Sequence, residues 1–115
     1  MTRRHGLPRS ARLLSGRQFQ AVFAGRLSCG NRYFRIFHQP SDQPRIGLAV
    51  SRRVAPRAVD RNRIRRCIRE TFRLRRARLE PRDYVVIARP AAAGQPRSAL
   101  ARALDELWQR FEEQS

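Results

Sequence analysis

Residues 46–70 read IGLAVSRRVAPRAVDRNRIRRCIRE. The first part, Ile46 to Ser51, is a strand pattern, and its near-continuous apolar run suits a strand buried on both faces at the centre of a sheet. Arg52 to Val59 is a basic connection interrupted by Pro56. A helix is predicted from about residue 58 to residue 79. Asp60 caps it or sits in its first turn, where a carboxylate complements the helix dipole, and Pro81 ends it. Helical spacing puts Ile64, Cys67, Ile68, Phe72 and Leu79 on one arc. Arg65, Arg66, Arg69, Arg73 and Arg76 fall on the opposite arc, with Asn62 among them.

On the N-terminal side, residues 1–12 are a basic arm containing Pro8. Ser15-Gly16-Arg17-Gln18 matches a capping box, in which the serine accepts from the third helical amide and the glutamine reaches back. The short helix that follows carries Phe19, Val22 and Phe23 on one face, with Gly25 as its C-cap. Residues 31–39 form a strand whose alternation sets Tyr33, Arg35 and Phe37 on one face and Phe34, Ile36 and His38 on the other. Residues 40–44, bounded by Pro40 and Pro44, are a turn, so this strand and Ile46–Ser51 are expected to pair as a hairpin. On the C-terminal side, Asp83 to Arg89 is a third strand around Tyr84-Val85-Val86-Ile87. Ser98 starts a last helix with Leu100, Leu104, Leu107, Trp108 and Phe111 as its inner stripe. The order is helix, strand, strand, helix, strand, helix: one α+β domain over residues 1–115, without repeats, ending in a frayed tail at 112–115.

The 115 residues carry 26 basic against 9 acidic side chains, a net charge of +17, and every basic residue is arginine. Genomic base composition explains arginine over lysine equally well, but the physical consequence is the same. A planar, permanently charged guanidinium binds phosphate with a bidentate fork and stacks on bases. A surface this positive repels itself unless a polyanion neutralises it. Nucleic acid is the partner this implies, with an anionic membrane the weaker alternative.

The basic residues are concentrated. Arg52, Arg53, Arg57, Arg61, Arg63, Arg65, Arg66, Arg69, Arg73, Arg75, Arg76 and Arg78 lie within 27 positions, opposed there only by Asp60 and Glu70. Like charges one turn apart destabilise a free helix by a few tenths of a kcal/mol per pair. A solvated face does not need to accumulate such repulsion; an RNA-binding face does. Asn62 is able to bond a base edge or a 2′-hydroxyl, or equally to bond the local backbone. The aromatics give a second candidate. Phe19 and Phe23 share a helical face, and Tyr33 and Phe37 share a strand face with Arg35. Either they are core, or one sheet face is an open platform on which unpaired nucleotides stack, with Arg35 near a phosphate.

Catalytic groups are missing from the pattern. His5 and His38 have no evident partner, Glu70 among arginines reads as an ion-pair member, and no metal-ligand spacing appears. Cys29 and Cys67 are isolated and read as reduced thiols of a cytoplasmic protein. The N-terminus lacks the apolar core of a signal peptide, and no stretch is long enough to span a membrane. Neither a small-molecule substrate nor a membrane partner is expected.

The segments Ile46–Arg53, Ala58–Arg66 and Ile68-Arg69-Glu70 closely resemble the protein component of bacterial ribonuclease P, whose signature is the Arg61-Asn62-Arg63 motif with further basic residues one turn on. Leu7-Pro8 before Arg12-Leu13, Gln18-Phe19 with Val22-Phe23, Asp83–Arg89 and Leu107-Trp108 match as well. The resemblance implies an α/β sandwich whose crossover around the arginine helix is left-handed, against the general rule. It implies that a catalytic RNA subunit, with Mg²⁺ bound mainly by that RNA, removes the 5′ leader of precursor tRNA. It assigns Arg61, Asn62, Arg63, Arg66 and Arg69 to the grip on the catalytic RNA, Arg52 and Arg53 to the basic pair after the strand, and Phe19, Phe23, Arg35 and Phe37 to a leader-binding cleft. The composition adds Arg57, Arg65 and Arg73 to the first set, and the strand alternation adds Tyr33 to the second. A ribosomal-type RNA-binding protein is the alternative that length and charge alone allow.

Overall fold

The computed structural model describes residues 11–12 and 16–112. Its elements are α1 (Gly16–Ala24), β1 (Ser28–Gly30), β2 (Phe34–Pro40), β3 (Arg45–Ala49), α2 (Ala58–Arg75), β4 (Arg82–Ala88) and α3 (Arg97–Gln109). One turn of 3₁₀ helix, Arg76–Arg78, extends α2, so the predicted 58–79 helix tightens in its last turn. The α+β class and the order of the six predicted elements hold, with β1 as an additional short edge strand. Ser15, most of the basic arm and residues 113–115 lie outside the described residues.

The four strands form one sheet in the order β1-β2-β4-β3. This overturns two expectations. The interior strands are β2 and β4, the 46–51 segment lies at the edge as β3, and β2 and β3 are not a hairpin because β4 lies between them. β4 runs antiparallel to β2 (Phe37 opposite Val85) and parallel to β3 (Gly47 opposite Val85). The reason is in the side chains. Tyr84, Val85, Val86 and Ile87 offer apolar groups to both faces, whereas β3 presents Arg45, Gly47 and Ala49 on one of its faces. Counting Gly47 and Ala49 as apolar made an edge strand look central. The connection at residues 41–44 is long enough to step over a strand: that takes about 10 Å at the usual strand spacing, and four residues reach about 13 Å. The amide of Ser41 donates to Pro81 O (2.9 Å), tying this turn to the start of β4.

α2 and α3 cover one face of the sheet and α1 the other. On the first face Phe34 and Ile36 of β2, Ile46 of β3, and Tyr84 and Val86 of β4 meet Ile64, Ile68, Phe72, Leu100, Leu104 and Trp108. Trp108 Nε1 donates to Thr71 Oγ1 (3.0 Å), and Tyr84 Oη to Glu80 O (2.7 Å), so the large buried polar aromatics have partners. Cys67 is buried in this core and burial raises its thiol pKa, which makes it a small apolar residue there. Two predicted termini are shorter than expected. Ala11 is buried and Arg12 bridges to Ile46, while Glu112 bridges to Leu79, so the arm and tail boundaries lie further out. After α1 the left-handed residue is Arg26 (φ 61°) and not the expected Gly25.

His38, left without a partner by the sequence, stands edge-on to Phe111 (centroids 4.7 Å) with Arg82 Nη1 3.4 Å from its Nδ1. Burial lowers its pKa, and the Arg82 charge lowers it further against a smaller opposing effect of Glu80. The unfolded chain then takes up the proton first, so stability is complete above about pH 6.5 and falls as the pH drops below it. Urea unfolding between pH 7 and pH 5 should show a steeper loss for the native chain than for His38→Gln. Parallel curves would refute the assignment.

Candidate nucleic-acid interface

The arginines of α2 divide by what their guanidinium groups touch. Arg61 donates through Nη1 to Ala55 O (3.0 Å) and Pro56 O (2.8 Å), pinning the loop that enters the helix. Arg63 donates to Gln95 O (2.7 Å) and lies 4.0 Å from Asp60 in the first turn. Arg75 pairs with Asp105 and Glu112. Arg76, which helical spacing placed on the outward arc, instead donates to Pro44 O and Gln43 Oε1 and holds the 41–44 turn. These four hold the fold together as well as adding charge.

The others face solvent. Asn62, Arg66 and Arg69 are exposed, and Arg65 and Arg73 are partly so. Arg65 Nη1 donates to Asn62 Oδ1 (3.1 Å), so the asparagine bonds a neighbouring side chain rather than the local backbone. Partial burial, then the charges of Arg12 and Arg65, push the Arg69 pKa below its ordinary value. A phosphate among these three cations would relieve their repulsion. At the start of α2, Ser51 accepts the amides of Val54 and Ala55, whose side chains are buried. This tight turn leaves Arg52 and Arg53 exposed at its tip, with Arg57 exposed just before the helix. Between α2 and the first turn of α3 lies a groove of about 630 Å³ lined by Val59, Asp60, Asn62, Arg63, Arg66 and Arg97. Arg97 donates to Glu70 Oε1, which makes Glu70 an ion-pair member. Arg97 was missed in the sequence because it sits on another helix, outside the periodic pattern of α2.

The cleft forms on the opposite face of the sheet. Strand register sets Phe37, Val85 and Gly47 in one row across β2, β4 and β3, and Arg35, Ile87 and Ala49 in the next. α1 lies over the first row: Val22 packs with Val85, and Phe23 meets Phe37 edge-on (5.0 Å, 82°). The Phe19 ring rests on Gly47, where an added Cβ would sit 2.6 Å from Phe19 Cζ. A nine-residue helix is about 13 Å long, and the second row is less covered than the first. Arg35 and Ala49 are exposed and Ile87 half-exposed, giving an apolar floor with an arginine at its edge. Arg35 Nη1 donates to Ser28 Oγ (3.0 Å), which holds it there. Gly47, Ala49 and Ile87 carried no signal of their own in the sequence; only register brings them together.

Tyr33 does not join this cleft. Asn31 Oδ1 accepts the amides of Tyr33 and Phe34 (3.1 Å each), so the turn ends before Phe34 and Tyr33 lies outside the strand alternation. Its ring packs against the α2–α3 core instead. Several carboxylates are engaged: Asp83 is buried in a bidentate pair with Arg45 (2.7 and 2.9 Å), and Asp60, Glu70, Asp105 and Glu112 each face an arginine. Among the described residues no three His, Cys, Asp or Glu side chains gather to hold a metal, and no helix is long and apolar enough to cross a membrane.

Two outcomes separate gripping from structural groups. Arg66→Ala should leave stability within about 0.5 kcal/mol and flatten the salt dependence of RNA binding by about one unit. Arg61→Ala should instead cost about 1 kcal/mol in urea unfolding, because two carbonyls lose their donor; equal stability of the two variants would contradict the division. Gly47→Ala should destabilise by about 1–3 kcal/mol through overpacking, and much less in a Phe19→Ala background. Equal costs in both backgrounds would show that the ring is not the obstacle.

Residues 7–112 match the family model described as Ribonuclease P. Among similar curated proteins, the ribonuclease P protein component of Methylococcus capsulatus is 43% identical over 106 residues, covering 90% of this chain and 83% of the relative. That of Halorhodospira halophila is 44% identical over 104 residues, covering 88% and 85%. The solved RNase P protein of Staphylococcus aureus superposes with a TM-score of 0.80 at 29% identity, over 87% of this chain and 93% of that one. The Thermotoga maritima protein gives 0.78 at 28%, over 89% and 98%. The family match spans the arginine helix, the central strand and the α1 face alike, and the chain belongs to the ribonuclease P protein family.

Proposed function

We propose that the chain works as the protein subunit of ribonuclease P in the cytoplasm, gripping a catalytic RNA with α2 and the 5′ leader of precursor tRNA in the α1 cleft. The observation that carries this reading is the exposed face of Asn62, Arg65, Arg66, Arg69 and Arg73 on a chain of this family. Arg52, Arg53 and Arg57 extend that face, and Arg61 and Arg63 hold the two loops that border it. Their charge offsets phosphate repulsion as two RNAs approach, and each neutralised phosphate releases a counterion. Phe19, Phe23 and Phe37 give unpaired leader bases a surface to stack on, and Arg35 a contact for their backbone.

The chemistry in this reading belongs to the RNA. Mg²⁺ is assigned to the RNA as well, and the described side chains offer no cluster of His, Cys, Asp or Glu to hold it. The protein's contribution is binding and positioning, which lowers the Mg²⁺ that the RNA needs.

Mixing the chain with a ribonuclease P RNA transcript at low Mg²⁺ should restore cleavage of precursor tRNA; absence of rescue would sink the proposal. In that assay Phe37→Ala should raise KM for leader-bearing precursor while leaving the affinity for mature tRNA unchanged. Equal weakening of both would mean that the ring serves only the core. RNA that co-purifies with the chain should be the ribonuclease P RNA, whereas ribosomal RNA would favour a ribosomal-type role.

A further inference from the structure

Tyr33, which strand alternation assigned to the leader cleft, belongs to a different cavity. The turn between β1 and β2 supplies Asn31, Arg32 and Tyr33, and α3 supplies Arg102, Ala103 and Glu106, to a pocket of about 250 Å³. It opens on the α3 side of the sheet, away from α1. Its size lies below the roughly 300–1,000 Å³ of pockets that bury a drug-sized ligand, so one planar group suits it better than a large molecule.

The pocket is built rather than accidental. Asn31 Nδ2 donates to Ala103 O (2.9 Å), fastening the turn to α3, while its Oδ1 accepts the two amides that follow. The Arg89 amide donates to Tyr33 O (2.8 Å), which fixes the same residue from β4's end. The backbone of Tyr33 is thus held from several directions while its ring stays half-exposed. Arg32 lies over that ring, 5.8 Å from its centroid. Arg32 and Arg102 are exposed, Glu106 is the acid beside them, and none of the ion pairs among the described residues uses either arginine. An aromatic ring, a stacked guanidinium and unpaired cations at the rim are the groups that take a nucleobase and its phosphate.

We infer that this pocket holds one unpaired RNA nucleotide, its base against Tyr33 and its phosphate on Arg102, as a third RNA contact beside the α2 face and the α1 cleft. The inference rests on the RNA-binding reading given above. α3 lines this pocket, and Arg97 at its start lines the groove of Arg66, so one folded RNA is able to reach both.

The test measures the affinity of the full chain for a ribonuclease P RNA transcript and, separately, for leader-bearing precursor tRNA. Tyr33→Ala should weaken one of the two about tenfold, the size of one lost stacking contact, and Tyr33→Phe should not. Arg102→Ala should flatten the salt slope for the same RNA by about one unit. Arg78→Ala, a charge-matched change at the far end of α2, should flatten it less. The RNA that responds identifies the source of the nucleotide. The inference is overturned if Arg102→Ala and Arg78→Ala behave alike and folded Tyr33→Ala binds both RNAs as the native chain does. If Tyr33→Ala fails to fold, the arginine comparison decides. Arg66→Ala serves as the reference: a loss there with none at Arg102 sinks only this pocket, whereas no loss at either sinks the RNA reading of α2 too.

Discussion

Mutual repulsion among the arginines constrains everything else in this chain. With a net charge of +17, the fold depends on cations being paired or spread, and several of its acids and backbone carbonyls are used for that. Asp83 is buried against Arg45 across the β3–β4 pair. Asp105 and Glu112 hold Arg75 at the end of α2, where cations also suit the helix dipole. Backbone carbonyls at Ala55, Pro56, Gln95 and Pro44 take Arg61, Arg63 and Arg76. Among the described residues Arg66, Arg69 and Arg73 on the outward face of α2 have no such partner, and with the exposed Arg52, Arg53 and Arg57 before the helix they form a cationic stretch that a polyanion would neutralise.

The central strand divides the work between the two faces of the sheet. Tyr84 and Val86 anchor α2 and α3, and a core of this depth can bear the cost of a like-charged helix surface. Val85 and Ile87 point to the other side, where a single short helix covers only one row of side chains. The same strand therefore supports a well-covered face that carries the arginine helix and an under-covered face that leaves a cleft.

The sequence was legible where one element's own period carries the information. The inner stripes of α2 and α3, the aromatic face of α1 and the density of arginine all follow from local pattern. Strand order did not, because it depends on comparing strands: β4 is apolar to both sides and β3 is not, yet glycine and alanine disguise that difference along β3. Nor did alternation predict Tyr33, since an Asn31 turn shifts the start of β2 and no period reports a side-chain bond to the backbone. Helical spacing likewise gave the direction of each arginine, but not whether a carbonyl waited at the end of its reach. Arg61 and Arg76 are the clearest cases, both long enough to fold back onto loops that are distant in pattern though close in space.

The placement of the two surfaces has an electrostatic consequence. α2 and the α1 cleft lie on opposite sides of the sheet, and even the shortest dimension of the protein is 28 Å. The Debye length at physiological ionic strength is about 8 Å, so a path through the solvent around the protein exceeds three screening lengths. In the proposed reading, a catalytic RNA on α2 and a leader strand in the cleft would each be attracted by cations on its own side and screened from the other by the intervening solvent. A protein that bound RNA on both sides in this way would join two polyanions by standing between them.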